Sequence, residues 1–194
     1  MAIFEDLMKV VFGIGGLYMT EIRKTRTYIA ADWDNDKDVV EVLRKWNDSN
    51  YWNLSFTDAH ELHSCRDESL NCTIKRSLVE RMKHSKRFVL IVGNNTASVR
   101  AGQCGYCDFY RRMSGTCIKG ISVYRSESYI DFECRRAIEA GISIIVLYKG
   151  LRVNKGSCPS IIQKYGVHLP LYYRGIDGQL YYNYHEIKKA FDEN

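Results

Sequence analysis

Apolar positions along residues 26–148 alternate between two periods. "RTYIAAD" (26–32) gathers β-branched and aromatic residues and runs into the polar cluster "DWDNDKD", after which Val39, Val40, Leu43 and Trp46 recur at helical spacing. The pattern predicts a strand, a polar loop and an amphipathic helix. "NLSFTD" (53–58) reads as a second, short strand. A long polar loop follows, then a helix on which Ile74, Leu78 and Met82 fall every fourth residue. "KRFVLIVGNN" (86–95) is a third strand ending in a Gly-Asn-Asn turn. "GISIIVLY" (141–148) is a fourth, and its unbroken apolar run argues for burial on both faces, as in a parallel sheet.

Strands and helices in alternation define an α/β sandwich, a doubly wound, flavodoxin-like parallel sheet flanked by helices. Beyond the fourth strand, where Pro159 and Pro170 lie, the pattern loosens, and "PLYYRGIDGQLYYNYHEIKKAF" adds a last strand or hairpin and a closing helix. This divides the chain into an N-terminal arm or helix (1–25), a domain at 26–148 and a C-terminal extension (149–194) packed on it. Residues 97–127, rich in Gly, Ser, Cys and Arg, are too long for an ordinary connection and read as an insertion.

Charge and composition narrow the partners. The net charge is +5, but 28 basic and 23 acidic residues are intermixed, without the run that tracks a phosphate backbone, so nucleic acid is not expected. The apolar N-terminal stretch is interrupted by Glu5, Asp6 and Lys9; its uncharged part is too short to span a bilayer, and no basic region precedes it. It reads either as an arm covering the domain or as a disordered leader. No membrane association is expected. Seven cysteines without a secretory signal favour reduced thiols and a cytoplasmic setting. "HELHSC" (60–65) and "CGYC" (104–107), with Cys72 and Cys117, offer soft ligands, but one C-x-x-C without a matching second pair favours ordinary thiols over zinc or a redox pair. No metal is therefore expected.

The segment "SYIDFECRRAIEAG" places a helix start before the fourth strand. Ser128 is its N-cap with Asp131 three residues on, Ile130, Cys134, Ala137 and Ile138 form the core stripe, and Tyr129 and Glu133 share one flank. In an open α/β sheet the ligand crevice lies beyond the carboxyl ends of the strands. That places Glu133 at the rim, where the helix dipole favours its ionised form. An acidic residue in a first turn also serves simply to stabilise the helix. Asp32, Trp33, Asp34 and Asn35 end the first strand and read either as a pocket wall or as a capping cluster with Asn35 or Asp36 as cap. Asp58 and His60 follow the second strand. Gly93 and Asn94 permit either close backbone approach to a ligand or a turn with positive φ. No G-x-G-x-x-G follows the first strand, which disfavours an ordinary dehydrogenase.

"YIAADWDNDKD", "FTDAHEL", "VLIVGNNT" and the Tyr129-to-Glu133 spacing, in this order, resemble the TIR domain, and more closely the TIR-like proteins of bacterial antiphage defence systems of the Thoeris type. The resemblance covers roughly residues 26–148. It implies a TIR-like fold and cleavage of the nicotinamide–ribose bond of NAD, which is substrate rather than cofactor. It also implies that Glu133 is the catalytic glutamate, four residues after an aromatic one, with Tyr129 in place of the commoner Trp. Asp32, Trp33, Asp34, Asn35, Asp58, His60, Gly93, Asn94 and Tyr129 would line the substrate. The implied product is an ADP-ribose-derived signalling nucleotide, a cyclic isomer or a conjugate, that activates a partner effector of the same system. Activity would wait on a phage-derived trigger or on homo-oligomerisation. The long insertion is unusual for the family. Two alternatives stand beside this reading: a non-catalytic TIR adaptor working through protein contacts, and a receiver-like protein, which "VLIVGNN" disfavours because it offers no Asp ending the third strand.

Overall fold

A computed structural model of the chain describes residues 24–58, 70–105, 107–117 and 120–193. The N-terminal arm up to residue 23, "HELHSC" and His60 lie outside the described residues.

Five parallel strands form the sheet: β1 (Thr25–Ala30), β2 (Phe56–Asp58), β3 (Arg87–Val92), β6 (Ser143–Tyr148) and β7 (Val167–Pro170). They lie in the order β2-β1-β3-β6-β7. Side chains alternate across each strand, and the alternation separates two cores. Tyr28, Ala30, Phe88, Leu90, Val92, Ile144 and Val146 face α2 (Asn71–Lys83) and α3 (Tyr129–Glu139). Ile29, Ala31, Val89, Ile91, Ile145 and Leu147 face α1 (Trp33–Asp48) and α4 (Tyr184–Glu193). This two-sided burial is what the continuous apolar run of β6 requires, and the doubly wound, flavodoxin-like sandwich expected from the pattern is the fold observed.

The first polar cluster is not a loop. α1 begins at Trp33, directly after the strand, because the Asp32 carbonyl accepts from the N–H groups of Asn35 (3.0 Å) and Asp36 (2.7 Å). Asp32 is thus the N-cap residue, rather than Asn35 or Asp36. Helical periodicity had too few apolar residues to register in this first turn. Asp36 alone among its acidic residues turns inward, in line with Val39, Val40 and Leu43.

In residues 97–127 the chain makes a short 3-10 turn (Thr96–Ser98) and a small antiparallel hairpin of β4 (Tyr110–Arg111) and β5 (Thr116–Cys117). Buried Cys104, Cys117 and Val123 anchor it. A buried ionic knot ties its far end to the helices. Glu127 accepts from Arg135 Nε (2.6 Å) and Nη2 (3.1 Å), and Lys75, fully buried, donates to the Glu127 carbonyl (2.8 Å). The C-terminal residues supply the edge strand β7, where Pro170 costs no ladder bond to a further neighbour. They also supply the hairpin of β8 (Tyr172–Arg174) and β9 (Leu180–Tyr182), then α4. No helix among the described residues is long and apolar enough to cross a membrane.

Candidate active site

From β1 the chain runs through α1 to β2 on one side, then crosses to β3 on the other, so the strand order reverses between β1 and β3. Such a switch point opens a crevice beyond the strands' carboxyl ends. Here a crevice of about 220 Å³ is lined by Asn35, Asp36, Asn94, Asn95 and Lys149. Gly93, next to Asn94, lies buried beneath Asp36. The backbone of Gly93 is not in the left-handed region; the residue is glycine because the Asp36 carboxylate rests on it, and a Cβ would stand 2.3 Å from Asp36 Oδ1. The positive-φ alternative for Gly93 is thereby corrected. Lys149, at the end of β6, lies 3.6 Å from Asp36 Oδ1 and donates to the Asn35 carbonyl (2.9 Å) and Asp38 Oδ1 (2.7 Å). Burial pushes the Asp36 carboxyl above the usual range, against the pull of Lys149.

The other sequence-derived residues separate into two groups. Arg44 on α1 donates through Nε (3.0 Å) and Nη2 (2.7 Å) to Asp58 Oδ2, and its guanidinium lies 6.0 Å from the Trp33 ring centroid. Asp58 and Trp33 thus meet through Arg44. Asp32 accepts from Asn35 Nδ2 (2.8 Å), while Asp34 is exposed in the first turn of α1.

The third group is on α3. Ser128 and Asp131 form a reciprocal capping box that fixes the helix start. The Tyr129 hydroxyl donates to Asn71 Oδ1 (2.7 Å), and its ring lies against Gly102, where a Cβ would approach within 2.5 Å. Glu133 is not at an open rim: only 6% of its surface is exposed. Tyr28, at the centre of β1, donates its hydroxyl to Glu133 Oε1 at 2.5 Å. Burial raises the Glu133 carboxyl from 4.5 to about 7, with the Tyr28 hydrogen bond and the Arg81 charge pulling the other way. The helix-dipole expectation of a fully ionised Glu133 at neutral pH is corrected, because desolvation of a charge outweighs a terminal dipole worth about 1 kcal/mol or less.

Asp36, Lys149, Asn95 and Tyr28 were not among the sequence-derived site residues. A faint signal existed for Tyr28: it shares its strand parity with Ala30, on the face that α3 covers. The six described cysteines are free thiols, and no cluster of three metal-binding side chains occurs among the described residues.

A parallel sheet of this order, with helices on both faces and a polar crevice at the switch point, defines the flavodoxin-like class to which TIR-like domains conform. Residues 28–102 match the family described as the TIR-like domain of the Thoeris protein ThsB. Over this span the chain is similar to ThsB-like TIR domains. The matched span includes Tyr28, the crevice residues of α1 and of the turn after β3, and Asp58, and it ends before Tyr129 and Glu133. No curated protein matches the chain.

Proposed function

We propose that the protein serves in Thoeris-type antiphage defence by breaking the nicotinamide–ribose bond of NAD and converting the remainder into an ADP-ribose-derived signalling nucleotide for a partner effector. The observation that carries this reading is the buried carboxyl of Glu133, hydrogen bonded to Tyr28 between α3 and the sheet. An ionisable group held in such a place is a cost that function explains better than stability does.

Nicotinamide is a good leaving group, so the C1′–N bond breaks with its electron pair going to the ring nitrogen, and no strong base is needed. What the reaction needs is negative charge beside the developing oxocarbenium ion. Ionised Glu133 supplies it. The cation is then captured by water, giving ADP-ribose, by a hydroxyl or adenine atom of the same molecule, giving a cyclic isomer, or by a second molecule, giving a conjugate; each capture releases a proton. Asn35, Asn94 and Lys149 offer the crevice's polar contacts to the dinucleotide, and Tyr129 offers an aromatic face. The family's trigger and self-assembly fit a site in which Gly102 lies on that ring and Glu133 is nearly enclosed.

The test is nicotinamide release and product mass on incubation with NAD, with and without lysate of phage-infected cells. Release that Glu133→Gln abolishes supports the reading. No release under any activating condition, or release undiminished in Glu133→Gln, overturns it. The enclosure of Glu133 also favours a second reading, a non-catalytic adaptor, for which Glu133→Gln would leave defence intact.

A further inference from the structure

We propose that Tyr28 is a positioning residue for the reaction assigned to Glu133: its hydroxyl pins Oε1 against β1 and leaves Oε2 as the oxygen that faces the ribose. This inference rests on the catalytic reading of Glu133 and adds a residue to it. Three observations carry it.

Tyr28 is fully buried, and its strand register places it opposite Phe88, on whose ring it stacks with centroids 5.9 Å apart and planes 20° apart. A phenylalanine would fill the same space without bringing a hydroxyl that must find a partner. Burying a hydroxyl and a carboxyl together has no advantage in stability over an apolar pair of the same shape, which is commonly neutral or better. The pairing therefore points to a use beyond packing.

The hydroxyl is also a fixed point. β1 pairs with β2 up to Thr27 and with β3 at Tyr28 itself, and the Tyr28 ring is fully buried. Glu133, on α3, has a flexible side chain, and a single bond of 2.5 Å from a rigid donor to Oε1 confines it. Confinement of this kind is what holds a carboxylate within reach of a reacting carbon.

Finally, the charged and titratable surroundings leave this task to Tyr28. Among the described residues, the groups that act on the Glu133 carboxyl are Tyr28 on β1 and Arg81 on α2, with the thiol of Cys134 beside it on α3. Arg81 acts through its charge alone, whereas Tyr28 makes the directional contact.

The experiment pairs Tyr28→Phe with a ¹³C titration of the full chain. In the wild-type protein the Glu133 Cδ and Tyr28 Cζ resonances should move with one shared midpoint; separate midpoints would overturn the proposal without recourse to any variant. In Tyr28→Phe the Glu133 midpoint should rise by about one pH unit, since a hydrogen bond to the charged form is lost. The acid limb of the kcat profile for nicotinamide release should move up with it, and kcat at pH 7 should drop about ten-fold with KM for NAD held within about two-fold. An unchanged midpoint and superimposable pH profiles in Tyr28→Phe would overturn the proposal. If Glu133→Gln is inactive while Tyr28→Phe behaves as wild type, only the role of Tyr28 fails; if Glu133→Gln retains full release, the catalytic assignment fails and takes this one with it.

Discussion

Replacing Glu133 by Gln should make the protein more stable, and by an amount that grows with pH. Burial lifts this carboxyl from 4.5 to about 7 in the folded chain. Below 4.5 it is protonated in folded and unfolded chains alike and adds no pH dependence. Between the two values the folded chain keeps a proton that the unfolded chain has released, so stability falls as pH rises. Above about 7 the full cost is in force. At about 1.4 kcal/mol per pH unit the gap amounts to about 3 kcal/mol, most of which falls between pH 5 and pH 8. Gln cannot ionise, yet its amide oxygen can still accept from Tyr28, so the variant escapes this loss while keeping the shape of the pair. Every other titrating group is common to both proteins and cancels. Denaturant unfolding of the two at pH 5 and pH 8 measures the difference directly. The variant's advantage should widen by about 2–3 kcal/mol, or roughly 5–10 °C in Tm for a chain of 194 residues. A difference that stays flat within about 0.5 kcal/mol between the two pH values would refute the buried, proton-holding state of Glu133.

Gly93→Ala should destabilise by about 1–3 kcal/mol in equilibrium unfolding, because its methyl group would meet the Asp36 carboxylate; in an Asp36→Ala background the penalty should largely vanish, and additive losses would disprove the contact. Gly102→Ala combines a left-handed backbone (φ 89°) with a clash against the Tyr129 ring, and a loss of about 1–3 kcal/mol, read the same way, is expected. Glu127→Gln leaves the fully buried Lys75 without its counter-charge and removes one of the two carboxylates paired with Arg135, Glu139 remaining, which should cost about 3–5 kcal/mol in urea unfolding; a loss under about 1 kcal/mol would show that the knot is dispensable.

The amino-acid pattern by itself determined the α/β alternation, the parallel sheet and its two-sided burial, because these follow from apolar periodicity within short windows. The unbroken run of Ile144 to Leu147 could be satisfied only between two helical layers. The capping box at Ser128 and Asp131 was equally local and equally legible. The polar cluster at 32–38 misled, since a first helical turn exposed on most sides carries little apolar signal. What only the tertiary structure decided is which polar groups meet. Tyr28 and Glu133 are 105 residues apart, and nothing near either one announces the other. Gly93 owes its identity to Asp36, a side chain from another element, rather than to its own turn. The protonation of Glu133 likewise depends on how completely α3 and the sheet exclude water from it. Solvent exclusion is a property of packing in three dimensions, to which the residues flanking position 133 contribute only a small part.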